Sequence, residues 1–255
     1  MNLDAYRDFM IELAELSGEF IRPFYGREGL RVELKDDSSP VTAADRGAEE
    51  LMRKLINERF PGHGVIGEEF GSDRADAEFV WVLDPIDGTK SFISSVPLFG
   101  TLIALLHKGQ PVLGCIHQPV LAQLLIGDCR TCFMNGRAVR TRDVRRIEDA
   151  TLLTSDPVAI ASNPAARGYQ ALMGRAKLAR MWGDCYGYLL VATGLADVMY
   201  DPVMNPWDIA ALVPVIRGAG GVITDSGGGS PYPATSIVAG ATADLHAAVL
   251  AGLKT

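Results

Sequence analysis

The chain lacks a long hydrophobic run. No apolar stretch reaches the roughly 18 residues that cross a bilayer, so no membrane span is expected. Its first residues also lack the apolar block of a secretory leader and the Arg-rich pattern of a transit sequence. Asp4, Arg7, Asp8 and Glu12 stand there instead, and a cytoplasmic protein is the expectation. Basic residues are in deficit, 24 Lys and Arg against 31 Asp and Glu, a formal net charge of −7. Without a basic stripe to neutralise a row of phosphates, nucleic acid is not an expected partner, and a small anionic substrate needs bound cations to help hold it. Cysteine is scarce too. Cys115, Cys129, Cys132 and Cys185 read as thiols of a reducing compartment, since a chain with 48% hydrophobic residues fills its own core without a disulfide framework. The Cys129-Arg-Thr-Cys132 spacing has no second pair and no His-x-x-x-His partner after it, which favours structural thiols over zinc or redox chemistry. Repeats and low-complexity segments are missing as well.

What is present is a change of periodicity along the chain. Leu3, Tyr6, Met10, Leu13, Phe20, Ile21 and Phe24 recur at spacings near three and four, predicting an amphipathic helix that ends near Pro23 to Gly26. A second helix is predicted from about Thr42 to Phe60 on the stripe Ala48, Leu51, Met52, Leu55 and Ile56, stopped by Pro61-Gly62. Between 63 and 140 the pattern turns to strands: Val65-Ile66, Phe79 to Leu83, Thr101 to Leu106, Pro111 to His117 and Leu121 to Ile126. Turn signals at Lys108-Gly109-Gln110 and Asn135-Gly136 predict antiparallel hairpins. From about Thr151 short strands (151–154, 177–181, 197–200, 222–224, 237–239) alternate with helices (near 164–174, 186–193, 207–218, 243–253). Two units are therefore expected, 1–145 with helices on a largely antiparallel sheet and 146–255 with α/β character. Ser226-Gly-Gly-Gly-Ser230 reads as a loop, because Pro231 and Pro233 follow where a phosphate-binding helix would have to begin.

The chemistry gathers around Trp81-Val-Leu-Asp84-Pro-Ile-Asp87-Gly-Thr89. A continuous apolar strand, as expected of one buried on both faces, ends in Asp84. Pro85 and Gly88 shape a turn that can aim Asp87 back toward it, and the pair suits Mg²⁺, which prefers carboxylate, carbonyl and water oxygens. A helix starting near Thr89 frees the N–H groups of Gly88 and Thr89 for phosphate; alternatively Asp87 or Thr89 only caps that helix. Glu68-Glu69 ends another short strand, either as a solvated acidic loop or as a source of a bridging ligand. Asp45 shares the helical stripe of Ala48 and Met52, so it faces the protein, either favoured there by the helix dipole or relaying a proton from Thr89. Pro206-Trp207-Asp208 opens a helix, and Asp208 is a first-turn acid. Lys35, in Lys35-Asp36-Asp37-Ser38-Ser39-Pro40, reads most simply as a solvated loop charge, with substrate contact as the alternative.

Gly67-Glu68-Glu69, Asp84-Pro-Ile-Asp-Gly-Thr89, and Trp207-Asp208 followed by Gly218-Ala-Gly-Gly-Val222 together resemble the inositol monophosphatase superfamily of lithium-sensitive, Mg²⁺-dependent phosphatases. Order and spacing match over nearly the whole chain. The resemblance implies an α/β/α/β/α layered sandwich of mixed α+β and α/β character, with the site between its halves. It implies two or three Mg²⁺ per site: one held by Glu68, Asp84 and the Ile86 carbonyl, another by Asp84, Asp87 and Asp208, with Glu68 reaching a third. It also implies that Asp45, in Val41-Thr-Ala-Ala-Asp45, works with Thr89 to activate the attacking water, without a covalent phosphoenzyme. A homodimer follows from the family's habit.

Within that superfamily, Lys90 to Leu106 and Gly183-Asp184-Cys185-Tyr186 look more like the histidinol-phosphatase branch than the inositol branch. Inositol enzymes usually carry a small residue where this chain has Asp184. A carboxylate there would attract the ammonium and imidazole of histidinol phosphate and offer a neutral polyol little. Asp201 matches a family position that contacts polar groups of the substrate. Asp184 can also be read as the N-cap of the 186–193 helix, and both roles can coexist. The expected activity is release of phosphate from histidinol phosphate, with inositol 1-phosphate or sugar phosphates as the alternative. One departure is Ser94-Ser95 before Val96-Pro97, where this branch is expected to place a glycine.

Overall fold

The structure is a computed structural model that describes residues 2–35 and 39–254. Helices α1 (Asp4–Ile21) and α2 (Ala43–Arg59) form on the predicted stripes. A capping box starts α2: the Thr42 hydroxyl accepts from the Ala44 N–H, and Asp45 reaches back to the Thr42 N–H. Between the helices lies a ribbon, β1 (Val32–Leu34) and β2 (Pro40–Thr42), too short and too polar in its surroundings to show in the periodicity. Asp36, Asp37 and Ser38 of the predicted loop lie outside the described residues.

Both helices cover one face of an eight-stranded sheet. Its strands are β3 (Gly64–Gly67), β4 (Gly71–Asp73), β5 (Phe79–Asp87), β6 (Gly100–His107), β7 (Gln110–Gln118), β8 (Gln123–Gly127), β9 (Cys132–Met134) and β10 (Arg137–Ala138). Their order is β10-β9-β8-β7-β6-β5-β3-β4, antiparallel except where β3 runs alongside β5. As predicted, β5 is buried on both faces: Trp81 and Leu83 pack toward α1 and α2, Val80 and Val82 toward the opposite side. Its end differs from the prediction. Pairing with β6 runs through Asp84, slips register, and resumes at Asp87 opposite Gly100. Asp84 therefore stands inside a bulged strand, and Pro85, which has no N–H for the ladder, sits in the slipped stretch. A short helix, α3 (Thr89–Ile93), follows.

The second sheet has the order β12-β11-β13-β15-β14, built from β11 (Thr151–Leu153), β12 (Leu178–Arg180), β13 (Val198–Asp201), β14 (Val222–Thr224) and β15 (Ile237–Gly240). One helix is predicted near 164–174; the structure has α4 (Pro157–Ser162) and α5 (Arg167–Arg175), with Pro164 between them. The predicted 207–218 helix is likewise two, α7 (Pro206–Ala210) and α8 (Leu212–Gly218). Pro214 explains that break, since it cannot donate to the Ala210 carbonyl and its ring crowds it. Helix α6 (Asp184–Ala192) starts two residues before the predicted 186, and α9 (Ala243–Leu253) closes the chain as expected. Helices α6, α7 and α8 fill the space between the sheets, and α5 and α9 cover the far face. The result is the expected α/β/α/β/α sandwich. No described helix is long and apolar enough to cross a membrane.

Candidate active site

The bulge of β5 and the start of α7 bring three acids together. Asp84, Asp87 and Asp208 each offer an oxygen, and these oxygens lie within 4.8 Å of one another. Local bonds aim them: the Ile86 N–H donates to Asp84 Oδ1 at 3.1 Å, the Cys185 N–H donates to Asp87 Oδ2, and the Asn205 N–H donates to Asp208 Oδ2 at 2.7 Å. Burial pushes all three carboxyls up, Asp208 to about 7, and neighbouring charges add to it: Glu68, Asp87 and Asp208 against Asp84, Asp184 and Asp208 against Asp87, and Glu68 and Asp201 against Asp208. Hard, closely spaced oxygen donors that repel one another are what a divalent cation would relieve, so the donor set fits Mg²⁺.

Directly after Asp87 the chain turns at Gly88, whose φ of +85° is open to glycine at little cost. A Cβ there would lie 2.8 Å from Asp184 Oδ2 and 2.9 Å from the Leu98 carbonyl oxygen, so glycine is needed for space as well. Gly88 caps α3, and at five residues that helix adds little dipole; the unpaired N–H groups of the turn are what it offers an anion. The Thr89 hydroxyl donates to the Ile86 carbonyl at 3.0 Å and lies 3.4 Å from Asp45 Oδ1. Asp45, 2% exposed, accepts from the Thr42 N–H and hydroxyl through Oδ2, which leaves Oδ1 facing Thr89. One side chain thus stands in the first turn of α2 and also faces the Thr89 hydroxyl. Burial raises its pKa.

Glu68 stands beside Asp84 at the end of β3 but outside the tight group of three. Lys35 is not a solvated loop charge. Its Nζ sits 2.9 Å from Glu68 Oε1 and 2.6 Å from Glu69 Oε1. Burial disfavours that ammonium, yet the hydrogen bonds to the two glutamates outweigh it and raise the Lys35 pKa. Beneath the turn lies Glu49, fully buried, which accepts from the Glu69 N–H at 2.8 Å, the Phe70 N–H at 3.2 Å and Arg53 Nε at 2.7 Å. A Cβ on Gly67 would collide with Glu49 Oε1, so that glycine lets the acid reach the turn. Sequence reading passes over Glu49, although the stripe that singles out Asp45 runs through it one turn later.

Two adjoining cavities open over these groups. The inner one, about 240 Å³, includes Glu68, Asp84, Asp87, Gly88, Thr89 and Asp208 in its lining. The outer one, about 320 Å³, shares Asp87, Lys90, Asp184 and Asp208 with it and adds Ser155, Asp156, Tyr188 and Asp201. Gly183 caps α6, and Asp184 is the first helical residue with φ +51°, which corrects its reading as the N-cap. Burial and then the Asp201 charge push its carboxyl up to about 6. Asp201 has both oxygens engaged, by the Ser155 N–H at 2.9 Å and the Tyr188 hydroxyl at 3.0 Å. Ser155, Asp156 and Tyr188 carry no signal in the sequence, because only the second sheet's register brings them here. The four cysteines are free, and Cys129 sits far from this cleft, its thiol 3.7 Å from the Pro111 carbonyl oxygen.

The chain is 42% identical to the bifunctional phosphatase IMPL2 of Arabidopsis thaliana, a chloroplastic protein, over 99% of the chain and 76% of the relative. It is 41% identical to the histidinol-phosphatase of Chlorobaculum parvum, over 84% of the chain and 83% of that protein. Among solved structures, an inositol monophosphatase from Zymomonas mobilis superimposes with a TM-score of 0.88 at 35% identity, covering 99% of this chain and all of that one. The sequence profile described as the inositol monophosphatase family matches residues 2–255, and the chain belongs to that family.

Proposed function

We propose that the protein is a Mg²⁺-dependent phosphomonoesterase that hydrolyses histidinol phosphate to histidinol and phosphate, a step of histidine biosynthesis. The observation that carries the substrate is the acid-rich outer cavity beside the three-carboxylate group, with Lys90 as the cation in its lining. Such a wall favours an alcohol bearing an ammonium and an imidazole, and it gives a neutral polyol only hydrogen bonds. The name of the Chlorobaculum relative supports the same choice.

In this reading Asp84, Asp87 and Asp208, with Glu68 and the Ile86 carbonyl, would hold two or three Mg²⁺. Once bound, the cations supply neutralising charge for the phosphate and the leaving alkoxide, and they acidify the attacking water. The chain's residues do the positioning. Gly88 and Thr89 N–H groups hold phosphoryl oxygens. The Thr89 hydroxyl orients water for in-line attack and takes a proton from it while passing its own to Asp45; the new P–O bond forms as the ester P–O bond breaks, and the leaving alkoxide takes a proton from solvent water. Asp184, between the two cavities, meets the substrate ammonium, and buried Asp201 adds charge behind it.

The family likeness further supports a homodimer; a cytoplasmic location and two units dividing at residues 145/146, between β10 and β11, complete this reading. A hydrolase for inositol 1-phosphate or a range of sugar phosphates is the second reading, favoured by the likeness to an inositol monophosphatase structure. Phosphate release from histidinol phosphate and from inositol 1-phosphate, each with Mg²⁺ and with EDTA, decides between them. We expect the higher kcat/KM for histidinol phosphate and no release in EDTA. Equal or better turnover of inositol phosphate overturns the substrate, and no release from any monoester overturns the reaction.

A further inference from the structure

The outer cavity contains an acid for which the reading above has no task. Asp156 precedes α4, and its Oδ1 accepts from the Val158 N–H at 2.8 Å and the Ala159 N–H at 3.2 Å. That capping uses one oxygen. Among the described residues, none donates to Oδ2, and no cation pairs with the carboxylate. We propose that Asp156 is a specificity-determining residue whose free oxygen receives the imidazole of the substrate; this rests on the histidinol-phosphate reading.

The order of groups along the cleft supports the role. Asp184 lines both cavities, whereas Asp156 lines only the outer one, away from the Gly88-Thr89 turn. In histidinol phosphate the ammonium sits on the carbon next to the ester carbon, and the imidazole follows beyond one more methylene. With the phosphate on the turn, the ammonium therefore falls at Asp184, and the ring extends past it toward Asp156. The remaining lining suits a flat ring: Ala159, Val203, Met204 and Leu212 present aliphatic surface beside the carboxylate. Burial chiefly pushes up the Asp184 and Asp201 carboxyls, and the Asp156 charge adds to it at each, so the three acids share one field. A cationic ring between them lowers that repulsion.

Capping and recognition separate by substitution, because Asn caps a helix about as well as Asp and carries no charge. Steady-state kinetics of wild type, Asp156→Asn and Asp184→Asn are compared on three phosphate esters. These are histidinol phosphate, phosphoethanolamine, which has the ammonium without the ring, and glycerol 2-phosphate, which has neither. For Asp156→Asn we expect an unchanged melting temperature, KM for histidinol phosphate raised about tenfold, and KM for the other two esters within about twofold of wild type. Asp184→Asn raises KM for both cationic esters. Asp156→Ser, which also caps, repeats the Asp156→Asn pattern. An unchanged KM for histidinol phosphate, or an equal rise for all three esters, overturns the role of Asp156 alone. Failure of the wild type to prefer histidinol phosphate over inositol 1-phosphate overturns the substrate reading and this role together.

Discussion

The inner and outer cavities are built on different terms. Half of the inner lining comes from one continuous piece of chain, the bulge of β5 and the turn into α3, and the rest, Glu68 and Asp208 included, from separate segments around it. Its acids are aimed by single backbone N–H groups and are otherwise held close in mutual repulsion. The outer wall is collected from β11, α4, α6 and β13, and its acids also serve the fold. Asp156 caps α4, and Asp201 ties Ser155 to Tyr188. On the proposed function, the floor charges are costly to hold without a cation, whereas two of the wall acids, Asp156 and Asp201, already carry a structural task.

Substitution on the floor is the hardest test of that contrast. Asp84→Asn keeps an acceptor for the Ile86 N–H and removes a buried charge from the cluster. We expect kcat to fall by more than about a thousandfold on every phosphate ester, matching the effect of EDTA. The cation-free protein should at the same time gain about 1 to 3 kcal/mol of stability in urea unfolding, since a buried repulsion is relieved. Loss of stability instead would mean that the floor acids support the fold as the wall acids do.

Glu49 tests how the floor is held. Glu49→Gln weakens the buried pair with Arg53 and part of the support of the Glu69 and Phe70 N–H groups, at a cost of about 3 kcal/mol. Because the same turn carries Glu68, calorimetric Mg²⁺ affinity should fall about tenfold while the preference among esters stays the same. A changed ester preference would couple floor and wall.

The difference between the cavities also sets what is legible in the sequence. Asp84 to Thr89 can be read directly because strand, turn and helix start are contiguous, and Asp45 because it shares the stripe of Ala48 and Met52. The order of helices and strands follows from the shift between periodicities of two and 3.6, whereas the layered sandwich comes from the family resemblance. The bulge itself is not legible: register slip depends on β6, which the residues of β5 do not specify. Nor is the helix break at Ala211 given by an apolar periodicity that runs through it. Lys35 is misread for a related reason, since its partners Glu68 and Glu69 are distant in sequence. Asp156 and Tyr188 become neighbours of Asp201 only once the second sheet is assembled.

On the wall, Asp184 carries the next effect in size. Its φ of +51° is a left-handed conformation that Asn tolerates better than Ala, so Asp184→Asn isolates the charge and Asp184→Ala adds strain. We expect Asp184→Asn to raise KM for histidinol phosphate about tenfold and to leave kcat within about twofold. Asp184→Ala should raise KM similarly and melt lower, the excess being about 1 kcal/mol. A fall in kcat with unchanged KM would move Asp184 from the wall to the floor.

The smallest expected effect lies at Ser95, in the Ser94-Ser95 pair where the histidinol-phosphatase branch is expected to place a glycine. Ser95 has φ +57°, the region glycine enters without a steric cost. Its bonds are made by backbone, the N–H to the Phe92 carbonyl at 3.0 Å and the carbonyl to the Tyr25 hydroxyl at 2.6 Å, so both survive Ser95→Gly. Relief of the left-handed strain is opposed by the greater freedom of glycine in the unfolded chain, leaving a net gain of less than about 1 kcal/mol, roughly 2 °C in melting temperature. Ser95 lies beyond the far end of α3 from Gly88, and the helix between them is anchored by buried Phe92 against Phe99. Kinetics on histidinol phosphate and glycerol 2-phosphate should therefore match wild type within about twofold. If KM for either ester moved further, the shape of this turn would be reaching the N–H groups proposed to hold phosphate through α3, and the floor would depend on the far end of that helix as well as on its contacts with Cys185 and Asp45.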